Sequence, residues 1–144
     1  MAPRLAIPCA LLPGGRAPQA QTAGAAGLDL HSREDAWLYR RERRVIATGV
    51  RLAIPAGYVG LIRDRSGLAR ELGISVLGGV VDSDYRGEIK VILQSHGLEH
   101  HHIQPGDRIA QLLIMPVPAV ELVEVEELDE TARADSGFGS TGSA

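Results

Sequence analysis

The sequence predicts an all-β fold, a sandwich or small barrel, on three observations. Its 144 residues are enough for one domain with a single core. Hydrophobic residues make up 44% of the chain but aromatic residues only 3%, so Val, Ile, Leu and Ala must fill that core. The apolar runs are short, rich in Val and Ile and separated by turn sequences, while helical periodicity is scarce.

Four apolar runs predict β-strands. In chain order they are RVIATGVRLAI at 44–54, YVGLI at 58–62, EIKVIL at 88–93 and RIAQLLIMPV at 108–117. The turn sequences PAG at 55–57, DYRG at 84–87 and QPGD at 104–107 separate them. LARELG at 68–73 predicts one very short helix that ends at Gly73. VELVEVEEL at 120–128 alternates apolar and acidic residues, which predicts a half-exposed strand.

The composition changes near the C-terminus. Apolar residues almost vanish from Thr131 onward, so we expect a β domain over residues 1–130 and a mobile C-terminal arm over residues 131–144. Phe138 in this arm is the only phenylalanine of the chain, and it is surrounded by Gly, Ser and Thr. No core can form around it, so the ring needs another role.

The net charge of −3 argues against a nucleic-acid or membrane-surface partner, which would require a basic field. The cluster RRERR at 40–44 is the local exception, and it favours a solvated strand edge or turn over a binding patch. The lone Cys9 cannot form an internal disulfide, and prolines interrupt the apolar N-terminal segment. We therefore expect a cytoplasmic protein, or a nuclear one if the source is eukaryotic or viral.

Two segments are candidates for anion binding. Arg65, Ser66 and Gly67 precede the predicted helix, where a guanidinium, a hydroxyl and free N–H groups can converge, although a plain helix cap is the commoner role of such a sequence. GFGSTG at 137–142 resembles a second anion nest, with glycines that free the backbone N–H groups. It lacks the lysine of a P-loop.

The segment GGVVDSDYRGEI at 78–89 predicts a β-hairpin with Asp82, Asp84 and Tyr85 at its tip. Both aspartates can be simple turn formers, and Tyr85 can cover its own core. Alternatively, the backbone can pair with a nucleobase edge while a carboxylate orients a water. The three histidines at 100–102 indicate a surface loop rather than a metal site, because adjacent side chains cannot all face one ion.

Five motifs resemble those of the trimeric dUTP diphosphatase family in order and spacing. They are AGLDL at 26–30, RSGLA at 65–69, GGVVDSDYRG at 78–87, GDRIAQLLI at 106–114 and RADSGFGSTG at 133–142. Asp64 departs from the family's pattern by replacing a proline, which puts a carboxylate near the phosphate-binding motif. Ala134 replaces a glycine after the arm's arginine.

The resemblance implies an Mg²⁺-dependent enzyme that hydrolyses dUTP to dUMP and pyrophosphate. Such an enzyme keeps uracil out of DNA and supplies dUMP for dTMP synthesis. The implied assembly is a homotrimer of jelly-roll-like subunits with shared active sites, each with a flexible C-terminal arm. Phosphoryl transfer requires mainly positioning and charge neutralisation, so carboxylates, arginines and a magnesium ion are sufficient for it.

The resemblance also implies residue roles. Asp82 is the implied base that activates the attacking water, and Asp29 organises the magnesium through water, without direct ligation. The residues expected to bind the phosphates are Arg65, Ser66, Gly67 and Gln111. The uracil and deoxyribose contacts are expected from Gly79, Val80 and Tyr85. In the arm, Arg133, Gly139, Ser140 and Thr141 are expected to hold the γ end, and Phe138 to cover the uracil ring.

Two alternative functions remain open. Deoxycytidine triphosphate deaminase shares this fold, but its glutamate acid/base has no matching motif here. A non-catalytic binding or signalling module on the same trimer is the other alternative, and the presence of Asp29, Asp82, Arg133 and Phe138 argues against it. A pyrophosphate-release assay with dUTP distinguishes dUTP hydrolysis from both alternatives.

Overall fold

The apolar runs form two antiparallel β-sheets that pack around one core. A computed structural model describes residues 4–138. The strands are β1 (Cys9–Leu11), β2 (Leu28–His31), β3 (Ala36–Leu38), β4 (Arg43–Leu52), β5 (Tyr58–Arg63), β6 (Ile74–Leu77), β7 (Val80–Val81), β8 (Ile89–Ser95), β9 (His101–Ile103) and β10 (Arg108–Pro116). The helix α1 (Ser66–Leu72) lies between β5 and β6.

The strand order brings distant parts of the chain together. The first sheet has the order β1-β4-β8-β6, the second has the order β2-β10-β5-β7, and β3 pairs with β9 in a separate ribbon. All of these pairs are antiparallel. The predicted all-β, jelly-roll-like fold is confirmed. The crossed strand order places the second motif of the sequence beside the first and the fourth.

One apolar core lies between the two sheets. The first sheet contributes Ile46, Val50, Val91 and Leu93, and the second contributes Leu30, Ile62, Val81 and Leu112. Along β8 the buried side chains alternate with exposed or half-buried ones, as period-two burial requires, whereas in β4 residues 46–50 are all buried. Aliphatic side chains therefore fill the core, as the composition predicts.

The strands predicted from the four apolar runs are confirmed as β4, β5, β8 and β10. The short helix is also confirmed, and it ends where Gly73 adopts the left-handed conformation with φ 62°. In the arginine cluster, Arg40 and Arg41 lie in a turn, and Arg43 and Arg44 lie at the start of β4. The cluster is therefore at a turn and a strand edge, as expected. Among residues 4–138, no helix has the length and hydrophobicity to cross a membrane.

Three local predictions are wrong. Residues 78–89 do not form a hairpin, because β7 pairs with β5 of one sheet while β8 pairs with β4 and β6 of the other. Residues 120–128 form no strand; their apolar side chains are exposed, and no strand within residues 4–138 pairs with them. Two of the three clustered histidines, His101 and His102, belong to β9 rather than to a loop.

A β-bulge in β4 shapes the first sheet. The register between β4 and β8 shifts between Ala47 and Val50. The fully buried side chain of Thr48 forms hydrogen bonds to the backbones of both strands at this bulge. Its Oγ1 donates to the carbonyl of Ile89 at 2.5 Å and accepts from the amide of Val50 at 3.2 Å. The hydroxyl thus bonds to a backbone group of each strand at the irregularity.

We expect Thr48→Val to destabilise the fold by about 1–3 kcal/mol, because the nearly isosteric side chain leaves these buried backbone groups unsatisfied. The free energy of unfolding, measured by urea denaturation, checks this. Thr22→Val changes an exposed threonine and serves as the control, with little expected effect. Equal stability of both variants would show that the hydroxyl contributes nothing at the bulge.

Candidate active site

A buried carboxylate marks the first part of the site. Asp29 lies on β2 and is 7% exposed, and its backbone amide donates to the carbonyl of Gln19 at 2.9 Å. Two guanidiniums flank the side chain. Arg65 Nε lies 3.6 Å from Oδ1, and Arg108 Nη1 lies 3.6 Å from Oδ2. Within the described residues, Oδ2 is buried and has no hydrogen-bond partner, so the carboxylate retains an unused acceptor.

A second β-bulge explains why the Arg108 and Gln111 side chains of the fourth motif lie on the same face of the sheet as Asp29. Gln111 pairs directly with Asp29 across β2 and β10, whereas Arg108 pairs with His31. Residues 108 and 111 would face opposite sides of a regular strand, but the register shifts between Arg108 and Ala110. The bulge therefore brings the amide and the guanidinium to the same face. Sequence reasoning missed Arg108 because periodicity does not reveal the bulge.

Gln111 connects three motifs of the sequence. Its Nε2 donates to the backbone carbonyl of Asp64 at 2.8 Å, next to Arg65. Gly27 packs so closely on the Gln111 side chain that a Cβ at residue 27 would overlap Oε1. The first, second and fourth motifs are therefore held together by direct contacts around one amide side chain.

Asp64 has a structural role instead of facing the phosphate-binding motif. Its Oδ1 accepts a hydrogen bond from the backbone amide of Val76 at 2.6 Å. Val76 lies on β6, an edge strand of the first sheet. The carboxylate thus joins the end of β5 to this edge, which corrects the expectation drawn from its position beside Arg65.

Arg65, Ser66 and Gly67 lie at the start of α1. Arg65 occupies the N-cap position without a side-chain capping bond, and Ser66 is the first residue of the helix, so the plain helix-cap interpretation of this motif is not supported. Ser66 and Gly67 are exposed. A Cβ added at Gly67 would meet nothing within 4 Å. Packing within the chain therefore does not require glycine at this position.

His31 extends the polar cluster along β2. Its Nδ1 is buried and has no hydrogen-bond partner among the described residues. Burial lowers the pKa of His31, and the nearby guanidinium of Arg16 lowers it further. The imidazole is therefore favoured in its neutral form beside Arg65 and Arg108, which limits the positive charge of the cluster.

The second part of the site surrounds β7. A cavity of about 290 Å³, here called the β7 cavity, is lined by aliphatic side chains together with Gly79, Asp82, Tyr85, Glu88 and Lys90. Val80 is one of the aliphatic residues. Gly79 has φ 94°, and its carbonyl accepts from the amide of Ile62 at 2.7 Å. A Cβ at residue 79 would lie 2.6 Å from the Ile62 carbonyl oxygen. The close approach to β5 therefore requires glycine.

Asp82 follows β7 directly and is exposed. The turn is closed by the Tyr85 amide, which donates to the backbone carbonyl of Asp82 at 3.1 Å. Within residues 4–138, neither the Asp82 nor the Asp84 carboxylate makes a hydrogen bond to this turn. The interpretation of both aspartates as side-chain turn formers is thus not supported, and the Asp82 carboxylate is available at the cavity.

Tyr85 is fixed at the mouth of the β7 cavity. Its hydroxyl donates to the carbonyl of Glu88 at 2.8 Å, and its ring packs against Gly87, where a Cβ would lie 2.5 Å from the hydroxyl. The side chain is still 45% exposed. The ring therefore presents a fixed face to the cavity opening and does not serve only as a cover for the core.

The described part of the arm does not reach either group. Arg133 Nε donates to the carbonyl of Ser136 at 2.9 Å, and Ala134 adopts φ 47°, a conformation that favours glycine. Phe138 is fully exposed. The remaining predicted arm residues, Gly139, Ser140 and Thr141, lie outside the described residues.

The structure therefore brings the predicted residues together in two groups. Asp29, Arg65 and Gln111 form one group, while Gly79, Val80, Asp82 and Tyr85 form the other around the β7 cavity. Arg65 and Arg108 line a separate cavity of about 460 Å³ that shares no lining residue with the β7 cavity. One chain thus holds the parts of the site in separate places.

Comparison with known proteins gives a consistent result. The dUTPase family matches residues 15–142. Proteins named deoxyuridine 5'-triphosphate nucleotidohydrolase are 53% identical in Nautilia profundicola, over 87% of this chain and 89% of the relative, and 53% identical in Wolinella succinogenes, over 92% and 90%.

Solved structures agree. A dUTPase mutant of Staphylococcus bacteriophage 80alpha with dUpNHpp has a TM-score of 0.91 and 29% identity, covering 96% of this chain and 99% of that one. A dUTPase mutant of phage phi11 of S. aureus, described with a structural Mg(II) ion, has a TM-score of 0.82 and 27% identity, covering 88% and 100%. The chain belongs to the dUTPase family.

Proposed function

We propose that this enzyme hydrolyses dUTP to dUMP and pyrophosphate by water attack on the α-phosphorus, in sites shared between the chains of a homotrimer. One observation supports the proposal that two chains share each site. The cavity beside Asp82 and the cavity beside Arg65 are separate within one chain. A second copy of the chain can supply the missing group to each, as the closed symmetry of a ring allows.

The Asp29 group has the charge and geometry for a triphosphate. Two guanidiniums each lie 3.6 Å from one carboxylate, which is too far for a hydrogen bond. The N–H groups of the guanidiniums are therefore not hydrogen-bonded to this carboxylate. Gln111 and the exposed Ser66 add neutral polar groups beside them. Arginine's planar fork matches phosphate oxygens, so Arg65 and Arg108 are expected to neutralise the phosphates.

The donors around Asp29 fit a magnesium ion bound with the substrate. Oδ2 is a buried carboxylate oxygen without a hydrogen-bond partner in the described chain, and oxygen is the donor that Mg²⁺ prefers. Residues 4–138 contain no cluster of three potential ligands, so the direct ligands would be phosphate oxygens and waters, and Oδ2 would accept a hydrogen bond from a metal-bound water. When bound, the ion would offset phosphate charge on the leaving pyrophosphate. Asp29 would orient its waters.

Asp82 is proposed as the base. Its carboxylate lies at the β7 cavity, and the turn around it is held by backbone groups, so the side chain is free to accept a proton from water. Val80 and Tyr85 would position the nucleoside beside it. The arm residues Arg133 and Phe138 would cover the site only after moving from their present positions, in which Phe138 is fully exposed.

The edge position of β7 offers a basis for uracil selectivity. Within residues 4–138, β7 is the last strand of its sheet, and its outer backbone groups have no strand partner there. Uracil presents two carbonyl acceptors around the N3–H donor, whereas cytosine presents an acceptor at N3 and a donor at N4. Backbone groups fixed to pair with uracil would be left without hydrogen-bond partners by cytosine, which can favour dUTP over dCTP by ~10⁴-fold. The product dUMP would then be available for dTMP synthesis.

Asp82→Asn should retain dUTP binding while kcat falls by about 10² or more, because the amide keeps the size of the side chain but cannot accept the proton. Steady-state pyrophosphate release and the binding of a non-hydrolysable analogue measure both quantities. Asp84→Asn, two residues away on the same exposed turn, is the matched control and should remain active. Near-normal turnover of Asp82→Asn would rule out Asp82 as the base.

Gly67→Ala should lower activity toward dUTP without lowering the stability of the fold. Because a Cβ has open space at residue 67 within the chain and alanine favours a helix, thermal stability should be unchanged or higher by up to ~1 kcal/mol. The same methyl group should obstruct phosphate oxygens that approach the backbone, so kcat/KM for dUTP should fall at least about tenfold.

Gly24→Ala is the control for this substitution, since a Cβ there also meets nothing within 4 Å. It should leave both stability and kcat/KM unchanged. Normal catalysis by Gly67→Ala would mean that the phosphates do not approach this backbone.

Mixed trimers test the sharing of the site. Chains with Asp82→Asn and chains truncated after Glu130 should each be inactive, and they are combined in equal amounts by unfolding and refolding. A site is complete when its β7 cavity comes from a truncated chain and its arm from a full-length mutant chain. Random assembly gives one half times one half, or about a quarter of wild-type activity. No activity in verified mixed trimers would show that cavity and arm belong to one chain.

A further inference from the structure

Two sequence features without a role in the proposed function lie on one surface, next to the cavity of Arg65 and Arg108, which His100 and His102 also line. The arginine cluster at 40–44 and the histidines at 100–102 meet beside β3 and β9. The backbone amide of Arg40 donates to His100 Nδ1 at 3.1 Å, and Arg44 Nη1 donates to the carbonyl of Trp37 at 2.9 Å. The aromatic–arginine patch is defined here as Trp37, Tyr39, His100 and His102 with the arginines of 40–44.

The rings of the patch are exposed and ordered by the β3–β9 ribbon. Trp37 pairs directly with His102, and the two rings stack with centroids 4.7 Å apart and planes within 7°. The Tyr39 ring lies 6.5 Å from that of Trp37, with planes within 14°. Trp37 is 44% and Tyr39 48% exposed, whereas the alternate residues Ala36 and Leu38 are buried in the core. The His100 ring differs, since it meets the Tyr39 ring edge-on with planes 81° apart. The ribbon therefore seals the core with one face and presents the near-parallel rings of Trp37, Tyr39 and His102 on the other.

The arginines of the patch retain their charge. Glu42, the one acid within the cluster, is directed to the backbone, where its Oε2 accepts from the Tyr39 amide at 2.8 Å. Within residues 4–138, none of the guanidiniums at 40, 41, 43 and 44 forms an ion pair. Arg40, Arg41 and Arg43 are exposed. Asp35 is an acid beside the rings, with its Oδ1 2.9 Å from His102 Nε2. The positive charge of the patch is therefore concentrated at the arginines of 40–44, although the whole chain is acidic.

We propose that the aromatic–arginine patch binds single-stranded nucleic acid, with bases stacked on the rings and phosphates held by the guanidiniums. Aromatic rings with neighbouring cations are the combination by which proteins bind single strands without reading sequence. A duplex conceals the base faces, so the exposed rings favour a single strand. An acidic protein surface would satisfy the charges, but it would not require a row of near-parallel rings.

Trp37 is the only tryptophan of the chain, so its fluorescence reports directly on the patch. An oligodeoxyadenylate of about twelve nucleotides, titrated into the intact protein at low salt, should quench this emission by stacking. Adenine is chosen because it lacks the uracil pattern expected at the catalytic site. With a labelled oligonucleotide, Trp37→Ala should weaken the affinity at least about fivefold while dUTP hydrolysis is retained.

The arginines are tested by the salt dependence of binding. For Arg40→Gln combined with Arg43→Gln, the slope of log affinity against log salt should decrease in magnitude by about 1.4, because two phosphate contacts are lost. Arg51→Gln is the matched control, since Arg51 lies at the other end of β4 and is also exposed. Its salt slope should equal that of the unmodified protein.

Three results would overturn the proposal. The first is an absence of quenching and of oligonucleotide binding at low salt. The second is quenching by polyglutamate but not by the oligonucleotide, which would assign the patch to an acidic protein. The third is a change in oligomeric mass for Trp37→Ala, which would place the patch between copies of this chain.

Discussion

The arrangement of the candidate site depends on the buried carboxylate of Asp29. An isolated buried charge is strongly unfavourable, and the guanidiniums of Arg65 and Arg108 compensate for it at 3.6 Å. These cations come from the residue before α1 and from β10, so this interaction aligns two motifs with the strand that carries the first. The bulge in β10 is necessary because it directs Arg108 toward the same face as Gln111.

Backbone pairing accounts for the separation of the two groups within one chain. Residues around Asp29 are tied to β2, β5 and β10 by ladder pairing and by the bond from Gln111 to Asp64. The β7 cavity is tied to the opposite edge of that sheet, where the chain crosses from β6 through two glycines with positive φ. Neither group can move toward the other without breaking backbone pairing. In the proposed trimer, a second chain would supply the complementary group.

Much of the fold and the site could be predicted from local sequence. Alternating Val and Ile runs between turns predict the long strands because period-two burial is a local property, and the five motifs identify the residues of both groups. Strand pairing is not local. The segment 78–89 was expected to pair with itself, but Gly78 and Gly79 carry it between sheets. The alternation at 120–128 is insufficient for a strand because a strand also needs a partner.

The remaining differences arise from single interactions that sequence patterns do not reveal. The role of Arg108 follows from a bulge, and Asp64 is directed to the edge of β6 by one hydrogen bond to Val76. The aromatic–arginine patch likewise depends on pairing between β3 and β9, which brings together residues at least 60 positions apart. The sequence predicts a solvated strand edge or turn for these arginines, as the structure has them, but it does not reveal the rings beside them.

The most direct test of a shared site is the crystal structure of the assembled protein with a non-hydrolysable dUTP analogue. The account predicts that each analogue has its uracil in the β7 cavity of one chain and its phosphates beside Arg65 and Ser66 of another. An analogue whose base and phosphates are held by Asp82, Arg65 and Ser66 of the same chain would contradict it.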